Sequence, residues 1–380
     1  MKTGIALSGG GVRATVFHLG VLARLAETEI WSSLEHISTV SGGSLCAALI
    51  FEKAGKRWPN EAAYLKECLP QIHKILISYD LQRAYAMRAW YRLLEGRAHI
   101  VGKLIKKNWG ITSCISEIPE TNPRLTINAT CYETGKNWRF HKKRMGDYIA
   151  NYVVDPKFSL ADAVAASAAV PGLIGPLKIK TSKYSWQKYT FDDKPDVDVP
   201  PIAKTLTLWD GGVYDNLGVE AIYKTKEGLR YDLDFALISD ASKPLGFLQR
   251  NWVGNIVIPH LRLSNKTRLI DIPSDQVRGL RARELFNFFR TNNNGGYLRM
   301  GESVPRICKN LQVPVPKAEF MSDSVANEVA SFETTLRKLS PDEFKNLFRH
   351  GYEVCSAVLY GIKKNPFAEF KQNNYSWMPQ

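Results

Sequence analysis

The sequence predicts an α/β fold built on a parallel sheet, organised as a single domain with added helices. Three observations predict it. Residues 3–8 read as a short apolar strand that passes through three glycines into a helical pattern at 12–28. Residues 34–40 ("LEHISTV") read as a second strand, which turns sharply into another helix at "SGGSLCAALIFEKAG". Two later apolar runs, "TLTLWDGG" and "DLDFALISDAS", each end in an aspartate and a small residue. Strands that alternate with helices need crossover connections, and these favour parallel pairing.

The elements follow in order. The 12–28 helix carries Val16, Leu19, Leu22, Leu25 and Ala26 on one side. Residues 61–107 are mostly helical in pattern, with basic and aromatic residues interleaved. Strands return at 124–131 and 137–141, joined by "YETGK", a sequence suited to a tight hairpin turn. A short helix at 159–169 ends at Pro171-Gly172, and 180–201 lacks periodicity and reads as an excursion from the core. The C-terminal part is helical again. Its clearest start is Ser340-Pro341-Asp342-Glu343, with Ser as cap, Pro at the first position and Glu at the third. A catalytic core of about 1–245 and a helical part of about 246–380 thus form one domain spanning 1–380.

Composition narrows the setting. The net charge of +14 fits an anionic partner, a phospholipid surface or a nucleic acid, or else a solvated basic face. Between Arg97 and Arg144 there are ten Lys/Arg against three Asp/Glu. No arginine-rich helix-turn-helix, zinc spacing or aromatic RNA-binding strand accompanies this charge, so no nucleic-acid partner is expected. The six cysteines are scattered without metal-like spacing and are expected to stay reduced. Lys2 precedes too few apolar residues for a secretory leader, and Asp162 and two prolines spoil 161–177 as a membrane span. A cytoplasmic protein, peripheral at the inner face of the membrane, is the expectation.

The glycines at 9–11 bare backbone N–H groups at a helix start. As Gly9-x-Gly11-x-x-Ala14 they match a dinucleotide fingerprint, which would set a pyrophosphate on the helix N-terminus. That fingerprint also needs an acidic residue at the end of the second strand, and this strand ends in Thr39-Val40-Ser41-Gly42-Gly43. No Gly-Lys-Ser/Thr follows the glycines either, which removes a nucleoside-triphosphate loop. No cofactor and no metal is expected.

What the second strand offers is a serine on a cramped strand-to-helix turn, close to the nucleophile-elbow pattern. Taken alone, Ser41 also fits an ordinary helix cap, the lesser of the two readings. A nucleophile needs a base. His18, His36 and His73 fall inside helix or strand patterns and His350 falls mid-helix, leaving His260, after "NIVIP", as the one histidine candidate. Asp210, in "LWDGG", ranks above Asp240, in "LISDAS", and both rank above His260.

Together these residues resemble the patatin-like phospholipase family. Its members carry a G-G-G-x-R-[GA] loop, a G-x-S-x-G elbow and a distant D-G-[GA]. Here the matching stretches are Gly9-Gly10-Gly11-Val12-Arg13-Ala14, Thr39-Val40-Ser41-Gly42-Gly43 and Asp210-Gly211-Gly212, with Thr39 standing where the family has glycine. The small-residue segment "AVAASAAVPGL" is similar too, and the resemblance covers roughly residues 3–245. It implies a patatin-like core related to α/β-hydrolases, with helices on both faces of the sheet. It further implies a Ser41–Asp210 dyad and an oxyanion hole from the loop Gly9, Gly10, Gly11 and Val12. Arg13, Gly42, Gly43, Gly211 and Gly212 take supporting roles. Burial beside Leu208 and Trp209 would raise the Asp210 pKa, as a base requires.

The implied activity is phospholipase A-type hydrolysis of acyl esters in membrane phospholipids or lysophospholipids, gated by an activating ligand or partner protein. The segment Leu81–Trp109, with Arg83, Arg88, Arg92, Arg97, Lys103, Lys106 and Lys107, either lies on an anionic phospholipid membrane or packs on the domain with its cations in water. The alternatives are an esterase or thioesterase for soluble acyl substrates, and a catalytically weakened membrane- or nucleic-acid-binding module.

Overall fold

The computed structural model describes residues 1–91, 96–190, 194–245, 263–370 and 375–378. Its first strand, β1 (Thr3–Leu7), leads through the glycines into α1 (Gly11–Leu25). Then β2 (Leu34–Val40) turns at Ser41 into α2 (Gly42–Lys53). A short helix α3 (Glu61–Ala63) runs through a π turn into α4 (Leu69–Ser78), followed by α5 (Leu81–Tyr91) and α6 (Arg97–Leu104). Next come β3 (Arg124–Cys131), β4 (Lys136–Phe140), β5 (Arg144–Asp147) and β6 (Asn151–Val154). Helix α7 (Leu160–Ser167) precedes β7 (Leu177–Lys180), β8 (Gln187–Tyr189), β9 (Pro195–Asp198) and β10 (Thr205–Asp210).

After α8 (Gly212–Asp215), a small hairpin of β11 (Tyr223–Lys224) and β12 (Gly228–Leu229) leads to β13 (Phe235–Asp240). The long α9 (Leu263–Asn292) follows, then β14 (Gly295–Arg299), α10 (Val304–Leu311), α11 (Asp323–Ser331) and α12 (Pro341–Lys363).

The sheet is mixed, with a parallel core in the order β14-β13-β1-β2-β3. Beyond β3 the pairing turns antiparallel through β4, β5 and β6 to β8 and β9. Helices cover both faces, and strand alternation shows which residue serves which. Ile5, Leu7 and Leu237 join the core formed with α1, α2 and α12, whereas Ala6, Ala236 and Ile238 pack with Leu285 and Phe289 of α9.

Three expectations need correction. First, β10 runs antiparallel to β3, pairing Leu208 with Cys131 and Asp210 with Ala129. Strand direction leaves no trace in hydrophobic periodicity, so "TLTLWD" could not be oriented from its own residues. Second, the stretch read as an excursion at 180–201 contains β8 and β9, which extend the sheet edge by short antiparallel pairings. Third, the C-terminal part is not only helical, because β14 completes the parallel core from beyond residue 245.

The helix read as one-sided is buried along its whole length. The outer face of α1 is covered by α12, and Gly20 and Gly351 let the two backbones meet. A side chain at Gly20 would come within 2.0 Å of the Phe348 carbonyl, and one at Gly351 within 2.0 Å of the Phe17 carbonyl. The α12 start is as the sequence suggests: Glu343 N–H donates to Ser340 Oγ (3.2 Å) and Ser340 N–H to the Glu343 carboxylate (2.8 Å).

In the Leu81–Trp109 segment the apolar side chains of its second half turn inward. Ile100, Val101, Leu104, Ile105 and Trp109 are buried, and Arg83, Arg97, Lys106 and Lys107 are exposed. Arg92 lies outside the described residues. All six cysteines are free thiols, and no described helix is long and apolar enough to cross a membrane.

Candidate active site

Ser41 sits where β2 turns into α2, with φ 49° and ψ −111°. A non-glycine residue in this region costs on the order of 1–3 kcal/mol, so surrounding contacts must hold it there. They do so from several sides. Ser41 N–H donates to Ser167 Oγ (2.9 Å), and Ser167 Oγ in turn donates to the Asn128 carbonyl (2.6 Å). Ser44 Oγ donates to Thr39 Oγ1 (2.9 Å) and lies 2.9 Å from Ser167 Oγ. Thr39 Oγ1 donates to the Thr126 carbonyl (3.1 Å), so the residue in the glycine position turns its side chain into this hydroxyl chain. The next two residues must be small: side chains at Gly42 and Gly43 would each stand 2.2 Å from a carbonyl, of Gly11 and Leu7 respectively.

Asp210 ends β10 beside this elbow, only 5% exposed. Its Oδ1 accepts the Gly212 N–H (2.6 Å), and its Oδ2 is buried with no donor among the described residues. Burial raises its pKa to about 7, against the opposing pull of the Gly212 N–H and the Ser41 hydroxyl. The hydroxyl is therefore near enough to favour the ionised carboxyl while standing outside hydrogen-bond geometry. Such pairs commonly close only when substrate is bound.

The second aspartate candidate has a different task. Asp240 ends β13 on the far side of β1, where it accepts from Arg278 (2.9 Å) and from the Tyr297 hydroxyl (2.7 Å). Arg278 and these hydrogen bonds outweigh burial and hold its pKa low, so it is a structural anion with no spare basicity. The histidines are likewise engaged elsewhere. His18 bonds Ser239 and the Ser8 carbonyl, His36 bonds Thr126, and His350 accepts the Gly301 N–H; burial holds all three below the ordinary imidazole pKa. His73 packs against Phe344 and Trp377. His260 lies outside the described residues.

The glycine loop is narrower as a donor set than the sequence suggests. Gly9 N–H donates to the Asn216 carbonyl (3.0 Å) and Val12 N–H to the Thr335 carbonyl (3.0 Å), so both are spent on the fold. Gly10 and Gly11, at φ 146° and 60°, hold N–H groups for which no acceptor is found among the described residues. Arg13 is 1% exposed and donates to the carbonyls of Phe332 and Ala241. It braces the loop and is too deeply buried to meet a lipid phosphate. Residues 332–339 form a strap across this loop, pinned at Gln82, whose side chain accepts from Thr335 and Leu336.

A cavity of about 290 Å³ lies between Gly212–Asn216 and the α9 residues Pro273, Ser274, Val277, Arg278 and Arg281, and neither Ser41 nor Asp210 lines it. Val213 and Val277 are exposed at its walls.

A family profile of patatin-like phospholipases matches residues 5–223, more than half of the chain. The chain belongs to the patatin-like phospholipase family. Among its curated relatives is patatin-like phospholipase domain-containing protein AN0408 of Emericella nidulans, 28% identical over 267 residues, covering 67% of this chain and 30% of that protein. A patatin-like phospholipase domain-containing protein of Coccidioides immitis is 26% identical over 264 residues, covering 67% of this chain and 31% of its own length. This patatin-like chain thus spans about a third of the length of the curated relatives it matches. Among solved structures it is similar to human GIVD cytosolic phospholipase A2, at 11% identity and a TM-score of 0.47, with 96% of this chain and 60% of that one covered. It is also similar to VipD from Legionella pneumophila, at 15% identity and a TM-score of 0.39, with 95% and 67% covered.

Sequence reasoning missed four residues at this patatin-like site: Asn128, Ser167, Asn216 and Thr335. Ser167 lies in the small-residue segment ahead of Pro171, which was the available signal. Asn216 follows the Asp-Gly-Gly by four residues. Thr335 lies far along the chain, with nothing local to mark it.

Proposed function

We propose that the protein is a serine acyl hydrolase of phospholipase A type, acting on acyl esters of membrane phospholipids or lysophospholipids through a Ser41–Asp210 dyad. The observation that carries this reading is the elbow serine beside a buried carboxylate whose Oδ2 has no hydrogen-bond donor among the described residues and whose pKa is about 7. Asp210 accepts the Ser41 hydroxyl proton as Ser41 Oγ bonds to the ester carbonyl carbon. The tetrahedral oxyanion takes hydrogen bonds from Gly10 and Gly11 N–H, each such donor being worth about 3 kcal/mol in comparable sites. The C–O bond to the glycerol breaks, and the leaving alkoxide receives the proton from Asp210. Water then gives a proton to Asp210 and attacks the acyl-enzyme, and the proton returns to Ser41 as fatty acid departs.

The net charge of +14 supports approach to an anionic phospholipid surface, and the exposed Val213 and Val277 beside the cavity suit contact with acyl chains.

The test is a fluorophosphonate followed by peptide mass analysis, with fatty-acid release from phospholipid vesicles measured alongside. Label on Ser41 alone, with fatty acid released, is the expected result. Label elsewhere sinks the dyad, and label on Ser41 with turnover only of soluble esters or thioesters replaces the lipid reading. Because Asp210 must be ionised to accept the proton, activity should rise with pH and level off above an inflection near 7. A flat profile between pH 5 and pH 9, values on the order of two pH units either side of that inflection, would contradict the assignment of Asp210 as base.

A further inference from the structure

We propose that Asn216 is a positioning residue that locks the oxyanion loop and the base loop into one working geometry, its side-chain oxygen filling the space that glycine leaves in both. The inference rests on the dyad reading and goes beyond it. Asn216 Oδ1 stands 2.3 Å from where a side-chain carbon on Gly9 would be, and 2.6 Å from where one on Gly212 would be. These glycines belong to two motifs some two hundred residues apart, yet the same atom requires both to lack a side chain.

The reacting groups border the same two points. Ser41 Cβ is 3.2 Å from the Gly9 position, and Asp210 Oδ1 is 2.9 Å from the Gly212 position. Asn216 is also held at its other atoms. Its carbonyl accepts the Gly9 N–H (3.0 Å), and its Nδ2 donates to Ser242 Oγ (2.8 Å). Ser242 N–H in turn donates to Asp240 Oδ1 (2.9 Å), which ties the wedge to the end of β13. One neutral carboxamide therefore sets the distance between the loop that receives negative charge and the carboxylate that receives the proton.

An amide suits this place for two reasons. Its nitrogen supplies the donor that Ser242 accepts, and its oxygen approaches Asp210 without a full negative charge. Of the charged groups packed around this corner, Asp215 is paired with Arg281 and Asp240 with Arg278. The ionisation of Asp210 responds to burial, Gly212 and Ser41, with no charged side chain contributing. A new carboxylate here would therefore be read out directly.

The experiment measures the rate of fluorophosphonate labelling at Ser41 against pH. Asn216→Asp keeps the shape and adds a charge beside Asp210, so the inflection should move up by about one pH unit or more. Asn216→Ala and Gly9→Ala should each slow labelling by about 10- to 100-fold, from lost alignment and from the clash with Oδ1 respectively. In the double variant the clash is gone, and labelling should recover above the Gly9→Ala level. An unmoved inflection in Asn216→Asp, or a double variant slowed by the product of the single losses, overturns the role of Asn216. Should Asn216→Asp not fold, the alanine pair decides alone. A native protein that is not labelled at Ser41 overturns the dyad, and this inference with it.

Discussion

Asp210→Asn should silence hydrolysis and make the protein more stable. Loss of a positioned general base removes about 10²–10⁴-fold in rate. A Ser41→Ala, Asp210→Asn double variant should lose little more than either single one, because the two side chains act as a unit. Stability should move the other way. A buried carboxyl with a pKa of about 7 holds its proton more tightly in the folded protein than an ordinary aspartate does unfolded, near 3.9. Folding is therefore favoured fully below that lower value, and the advantage drains away as pH rises through about 7. Asparagine mimics the protonated form, and its amide oxygen can keep the Gly212 N–H bond. At pH 8 the variant should gain at most about 4 kcal/mol, the linkage free energy of a carboxyl that folding makes roughly a thousandfold harder to ionise. Below pH 4 it should gain almost nothing. Urea unfolding at the two pH values checks this. A variant that is no more stable at pH 8 would mean that Asp210 is not an unpaired buried base.

The second large effect lies at the α1–α12 crossing. Gly351→Ala should cost about 3 kcal/mol or more, because its new carbon would meet the Phe17 carbonyl, a backbone atom that cannot rotate away. Gly20→Ala should behave alike against the Phe348 carbonyl. Activity should fall as well, since α1 begins at Gly11 and any retreat of the helix carries with it the N–H groups proposed as oxyanion donors. Denaturant midpoints and Ser41 labelling rates measure the two consequences. An Ala variant with native values for both would show that the helices separate there at no cost.

The three motifs were legible because their geometry is local. A glycine loop opening a helix, a serine on a cramped turn and an aspartate before two glycines each state their constraint within a few residues. What holds them in register is not local. Ser167 reaches Ser41 across 126 positions, and Arg13 reaches the Phe332 carbonyl across 319. The small-residue segment marks Ser167 as unusual without naming its partner, and nothing in the sequence marks the Phe332 carbonyl. From their own strands, Asp210 is set apart from Asp240 only by the two glycines that follow it. Arg278 and Tyr297, brought in by α9 and β14, make Asp240 a satisfied anion, whereas Asp210 keeps a buried oxygen with no donor among the described residues. The full burial of α1 is hidden from its own residues for a related reason: its outer face is completed by a helix over three hundred residues later.

The strap at 332–339 bears on the order in which the protein is made. A growing chain has synthesised the glycine loop, Ser41 and Asp210 well before Phe332 and Thr335 leave the ribosome. Until they do, the Val12 N–H lacks its acceptor, and the Arg13 guanidinium has only the Ala241 carbonyl of its two. The hydrolase proposed above would thus stay latent through synthesis of its whole sheet and be armed by the segment that follows. Stalled nascent chains should take up a fluorophosphonate at Ser41 only once the strap has emerged; labelling of shorter chains would show that the loop is set without it.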